Sequence, residues 1–314
     1  MQETAVLTKP AEAPLAIHRK APWYLELLGR LFREKPLGAI GAVIVVIFFL
    51  SAVFADLIAP YGYNETHLAD RLKAPDWYGK YPLGTDMLGR DILSRIIYGA
   101  RISMYVGLGA VGLGTTLAVL LGLASAYTGG KFDIGVQRLV DAWMSFPWLV
   151  ILLTIMSILK PGLFSVIIAL GIGQTFGNSR IIRGSVLSAL ESQHVEAARS
   201  TGCGHLRIIF FHILPNIMAP IIIIASLGLG AAILVESALS FLGYGVPPPH
   251  PSWGSMLSGS ARTYLETAPW MAVWPGLAIS AAVFGFNMLG DALRDLVDPR
   301  LRGAQGTMQG WRRR

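Results

Sequence analysis

Charge is scarce in this chain of 314 residues. Asp, Glu, Lys and Arg together make up 14%, against roughly a quarter in an average soluble domain. A soluble protein of this size needs a charged surface, and too few charges are present to make one. Cysteine is nearly missing: the single Cys203 excludes an intrachain disulfide and any multi-cysteine metal site. A phosphate-cradling G-x-x-x-x-G-K-[ST] loop is missing too, because Gly79-Lys80 is followed by Tyr81 and Gly130-Lys131 by Phe132. If ATP drives this protein, another polypeptide binds the ATP. His194-Val195-Glu196 matches half of a zinc-deaminase signature, but its P-C-x-x-C half cannot exist with one cysteine. No metal site, bound cofactor or catalytic constellation is expected. No secretory leader is expected either. The first apolar run begins near residue 37, is as long as a membrane span, and lacks a small-residue cleavage site after it.

What the chain has in abundance is apolar surface. Hydrophobic residues are 53% and Gly numbers 35, and the mean hydropathy is +0.54. This composition argues for a polytopic α-helical membrane protein. The net charge of +7 is spread between apolar blocks rather than gathered in one patch. That suits the positive-inside rule better than a nucleic-acid surface.

A spanning helix needs about 20 largely apolar residues. Six stretches free of charge meet this length: 37–55, 102–130, 142–159, 161–179, 208–235 and 267–290. The third and fourth are separated by Lys160 and Pro161 alone. They read as a tight helical hairpin, the alternative being one apolar block with a re-entrant segment. With both termini inside, the inner segments hold 18 Lys and Arg against 8 outside, which sets the orientation. The expected organisation is a cytoplasmic tail over 1–36, a first span over 37–58 and an extracytoplasmic loop over 59–101. A five-helix core over 102–290 follows, containing an inner loop over 180–213, and a cytoplasmic tail closes the chain over 291–314.

Smaller patterns refine this. Tyr24, Leu27, Leu28 and Leu31 fall at i, i+3, i+4 and i+7, predicting an interfacial helix before the first span. The alternative is a plain extension of that span. Residues 1–21 and 303–314 read as disordered. Gly114, Ala118, Gly122 and Ala126 form a small-residue stripe for close helix approach, either to a moving partner helix or within a static bundle. The G-x-G-x-x-G match at 107–112 lies inside a charge-free run and reads as helix packing. Arg90, Arg95 and Arg101 are placed to neutralise Asp86 and Asp91. Residues 245–254, GVPPPHPSWG, are too Pro-rich for a helix. They either touch an external partner or cap the bundle. Glu236 and Asp291 read as the interfacial ends of their spans, leaving Gln174, Asn178 and Asn287 as polar candidates for a pathway.

The inner loop, 180–216, reads RIIRGSVLSALESQHVEAARSTGCGHLRIIFFHILPN. Leu187, Leu190, His194 and Ala197 lie near one face of a first helix, Gly202 and Gly204 break it, and a second helical stretch runs to Pro215. Small Ala197 and Ala198 beside Glu196 suit close contact with another protein. EAARSTG at 196–202, followed by Ile213-Leu214-Pro215, resembles the EAA loop of ABC importer permeases. Residues 82–107, 239–257 and 290–303 resemble the C-type permease subunit of oligopeptide, dipeptide and nickel importers, and the likeness covers about 30–303. The resemblance implies an all-α membrane protein with six transmembrane helices, in the type I, methionine-importer-like permease fold. It implies a non-catalytic subunit of the cell (inner) membrane, working beside a homologous B-type permease chain. Two ABC ATPase subunits using ATP and Mg would sit beneath, and an extracytoplasmic binding protein above. Glu196, Ala197, Ala198, Gly202, Leu214 and Pro215 become the ATPase-coupling residues. Peptide is the expected cargo and nickel the alternative. An ion-driven secondary transporter, a rival of another class, would want inverted repeats and intramembrane carboxylates, and neither is visible.

Overall fold

A computed structural model of the chain describes residues 23–297. The expected disordered tails, 1–21 and 303–314, lie outside the described residues. Helices dominate. In chain order they are α1 (Trp23–Glu34), α2 (Pro36–Val53), α3 (Ala55–Ile58), α4 (Ile92–Thr128), α5 (Gly130–Met144) and α6 (Trp148–Ile158). Then come α7 (Leu163–Leu190), α8 (Gln193–Ser200), α9 (His205–Arg207), α10 (Met218–Phe241), α11 (Trp253–Leu257), α12 (Ser260–Thr263) and α13 (Trp270–Val297). No strand forms among the described residues, only an isolated bridge between Thr85 and Asp91.

Four helical stretches are long and apolar enough to cross a membrane: Pro36–Val53, Ile92–Thr128, His205–Phe241 and Trp270–Leu296. A fifth candidate is α5 and α6 together, bent by 89° at the break between them. This corrects the third expected span. Pro147 caps α6, and the residue before a proline is pushed out of helical geometry, so the 142–159 run is broken. Its α6 part has 11 residues, a length of about 16 Å against a hydrocarbon core of about 30 Å. The hairpin survives in reduced form, with Leu152 and Met156 of α6 buried against Val166, Ala169 and Leu170 of α7. α7 has 28 residues but carries Gln174, Asn178, Arg180 and Arg183, which lowers its hydropathy.

Charged residues also start helices where composition suggested loop. α4 begins at Ile92, inside the expected 59–101 loop, because Asp91 accepts from the Ser94 amide at 2.8 Å as its N-cap. Arg101 then binds Asp56 at 3.0 Å and the Ala52 carbonyl at 2.8 Å. It does not neutralise Asp86 or Asp91, as had been expected. For Asp86 that role falls to Arg90 at 2.7 Å, with Arg95 at 3.9 Å. α13 likewise runs past Asp291 to Val297.

Between α1 and α2 stands only Lys35, at φ −134 and ψ 74, outside the helical region that a following proline disfavours. Lys35 pairs with Asp295 at 2.5 Å, and Leu31 is buried with Ala292 and Leu296. α1 is therefore a separate helix braced on the end of α13, not a continuation of α2.

Three of the buried clusters join the long helices. Ala52, Met104, Ile233, Trp253 and Phe286 join α2, α4, α10, α11 and α13. A second cluster joins α4, α6, α7 and α10. The third gathers Ala126, Ile182, Val186, Val195, Ala198, Ile208 and Ile213 beneath α8. The small-residue stripe of α4 faces α7: a Cβ on Gly114 would stand 2.8 Å from the Gly171 carbonyl oxygen. The helix that this stripe meets is α7 of the same chain. Two ion pairs tie α5 to α7, Asp133 with Arg183 at 2.5 Å and Asp141 with Arg180.

The 245–254 segment is pinned to the bundle. Trp253 is 1% exposed and its Nε1 donates to the Ile96 carbonyl at 3.0 Å. Gly254 lies against the Ser237 backbone so closely that a Cβ would meet its carbonyl oxygen at 2.2 Å.

Candidate functional site

The inner segment differs from the expected helix, turn, helix over 180–213. α7 runs unbroken through Arg180 to Leu190. It stops at Glu191, and Ser192, at φ −74 and ψ 144, starts α8. The first helix of the site is therefore the short α8. Leu187 and Leu190, on α7, pack on the cluster beneath α8, while His194 and Ala197 point away from it and are exposed. The four do not share one face.

α8 has two sides. Val195 is fully buried and Ala198 is 6% exposed, both within the third cluster. Glu196, Ala197 and Arg199 are exposed. Ala198 thus serves the chain's own packing, a correction to its expected place against another protein. Glu196 and Ala197 remain on the outer side.

Gly202 ends α8 in a Schellman arrangement. Its N–H donates to Arg199 O at 3.0 Å, and the Cys203 N–H donates to Ala198 O at 3.1 Å. Gly202 has φ +76, the left-handed region that a side chain disfavours. Nothing stands within 4 Å of where its Cβ would be, so backbone conformation, not crowding within the chain, requires glycine.

The chain re-enters at α9 and does not break at Pro215. Ile208–Ile213 is π-helical and Leu214–Ile217 is 3-10 helical. Pro215 has no N–H to offer the preceding turn, and a local change of winding absorbs that loss. Leu214 is half-buried in the third cluster, whereas Pro215 is exposed. Tyr127, near the end of α4, meets His205 Nδ1 at 2.7 Å. The site thus rests on α4, α7 and the entrance to α10 at once.

The three expected pathway residues are not brought together. Gln174 Oε1 would stand 3.3 Å from a Cβ on Gly228, and Asn287 Oδ1 2.9 Å from one on Gly230. Two residues of helix turn by about 200°, so Gln174 and Asn287 lie on opposite sides of α10. Asn178 is half-buried one turn along α7.

Glu236 is a further correction. It does not end its span at an interface but is fully buried within α10. It accepts from Ser240 Oγ at 2.6 Å and from Ser103 Oγ at 3.4 Å. The sequence signal was available: Ser240 follows the carboxylate one turn along the same helix, and a buried acid needs such a donor.

Residues 114–303 match the family model described as binding-protein-dependent transport system inner membrane component. The chain belongs to this family. Residues 24–75, which cover α1 from its second residue and all of α2, match the N-terminal TM domain of oligopeptide transport permease C. The dipeptide transport system permease protein of Alkalihalophilus pseudofirmus is 42% identical over 90% of this chain and 91% of its own length. The oligopeptide transport system permease protein of Bacillus subtilis is 39% identical over 86% and 88%. The glutathione transport system permease protein of Escherichia coli is 36% identical over 90% and 92%. Among solved structures, a chain of the inward-facing MetNI methionine ABC transporter superposes with TM-score 0.55 at 16% identity, over 65% of this chain and 97% of that one. The fold is therefore the type I ABC importer permease fold. The chain is a multi-pass membrane permease subunit of an ABC importer.

Proposed function

We propose that this chain is the C-type permease subunit of a peptide importer, with six spans and both termini in the cytoplasm of a cell with the complex in its inner membrane. α5 with α6 forms one broken span and α7 the next. A homologous B-type chain completes the pathway, two ATPase subunits bind ATP and Mg beneath, and a binding protein delivers cargo from outside. Three relatives named for dipeptide, oligopeptide and glutathione transport support peptide cargo over nickel.

One observation carries the coupling role. α8 shows Glu196, Ala197 and Arg199 outward and sinks Val195 and Ala198 into a cluster built from α4, α7 and the 208–217 segment. A push on its outer side therefore reaches three long helices without a flexible link. Gly202 fixes the angle of the peg, and Leu214 and Pro215 set how the chain returns to the membrane. ATP binding would close the ATPases, draw the two pegs of the permease pair together and open the outer side. Hydrolysis would reset it. This chain supplies no catalytic group.

The test of placement is a cysteine at exposed Ser200, with Cys203 replaced by Ala. An impermeant thiol reagent is expected to label it in inverted vesicles and not in intact cells. Labelling from the outside of intact cells would overturn the topology.

A further inference from the structure

The opposite end of the bundle from α8 holds a cavity of about 360 Å³, inside the range of roughly 300–1,000 Å³ typical of small-molecule sites. It lies between the start of α4, the 245–254 segment and α13. Arg95 lines it and is only 8% exposed. Its Nη1 donates to the Tyr63 carbonyl at 3.1 Å, while its Nε is 3.9 Å from Asp86, beyond hydrogen-bond reach. Among the described residues, Nε and Nη2 have no acceptor. Asp86 is already taken: Oδ2 accepts from Arg90 Nε at 2.7 Å, and Oδ1 from the amides of Leu88 and Arg90 at 2.8 and 3.0 Å. Asp91 gives Oδ2 to the amide and hydroxyl of Ser94. Asp91 Oδ1 is buried without a partner, so Arg90 and Arg95 share Asp86, and Arg95 keeps two donors unpaired. Neither nitrogen is among the buried atoms that lack a partner, so both are reachable from the cavity that Arg95 lines, where an anion could pair with them.

We propose that this outer cavity binds the free C-terminal carboxylate of a short peptide, with Arg95 as its fork-shaped partner. The inference rests on the peptide-importer reading and adds to it a site within the permease itself. Arginine offers paired donors matched to a carboxylate, a group all such peptides share whatever their side chains. The remaining wall is suited to what varies. Met256 and Met271 line the cavity beside Pro247 and Pro248, and flexible thioethers adapt to differing side chains. An acidic side chain of a docked protein would need only the Arg and leave most of the volume unfilled, so a small peptide is the better match.

The test uses the assembled membrane complex in nanodiscs without binding protein, with labelled dialanine as probe. Dialanine amide is expected to bind about tenfold or more weakly, the effect of losing a charge-assisted pair. Acetate should compete poorly. Arg95→Gln should erase the preference for carboxylate over amide, and Met256→Trp, which fills the cavity and keeps Arg95, should lose binding of both. Equal affinity for dialanine and its amide, or no dialanine binding at all, would overturn the proposal. Acetate competing as well as dialanine would also overturn it in favour of a simple anion site. If Arg95→Gln does not assemble, the comparison of dialanine with its amide on the unaltered complex decides. Peptide uptake by the same complex with binding protein added tests the importer reading separately.

Discussion

A Cβ on Gly122 would stand 2.6 Å from the carbonyl oxygen of Ser179, so the backbones of α4 and α7 touch there with no side chain between them. Gly112, on the same helix, has nothing within 4 Å of its Cβ position. Small residues at such crossings set how closely helices in a bilayer can lie.

Gly122→Leu should therefore force the two helices apart and cost at least the ~1–3 kcal/mol of an overpacked core. Gly112→Leu should cost about 0.5 kcal/mol or less. Thermal unfolding of the detergent-solubilised complex checks both. Equal midpoints would show that the α4–α7 crossing does not limit stability.

The Glu236 carboxylate is the acceptor for two buried hydroxyls, those of Ser103 and Ser240. Glu236→Ala should leave both without it, at about 1–3 kcal/mol each, and lower the yield of folded protein sharply. Glu236→Gln keeps an acceptor oxygen in place and should be far milder. Expression level and melting midpoint of the two variants are the measurement.

Asp70, outside the spans, is held below the usual carboxylate range by its hydrogen bond to Lys73, then by those to Tyr81 and Lys80. A carboxyl lowered in the folded state contributes stability above its unfolded pKa, about 3.9. That contribution is lost as pH falls below this value toward the folded one. Asp70→Asn should flatten the acid limb of the melting curve from about pH 4 downward. Above pH 6, clear of the Asp range, the variant should show only a constant offset.

These particulars show what the sequence could tell. α2, α4, α10 and α13 were legible because a long charge-free run has few other uses. The start of α4 at Ile92 was hidden, since Asp91, Arg95 and Arg101 look like loop charges until one knows that each has a local partner or a burial site. The break between α7 and α8 was hidden as well, because Glu191-Ser192 contains neither Gly nor Pro. Pro147 was a visible breaker, outweighed by the apolar run around it. The left-handed bend at Gly202 was readable from the glycine after a polar helix. The inward turn of Ala198 was not, because two adjacent alanines give no sign of which one faces the core.

The central claim is that α8 transmits nucleotide chemistry to the bundle. Glu196→Lys reverses an exposed charge without disturbing Val195 or Ala198. Gly202→Trp adds a side chain at φ +76, at roughly 1–2 kcal/mol. The deciding measurement is ATPase activity and peptide uptake of the reconstituted importer carrying both changes, with and without loaded binding protein. The account predicts normal amounts of the complex in the membrane, no stimulation of ATPase by loaded binding protein, and no uptake. Wild-type uptake and stimulation by the double variant would contradict it.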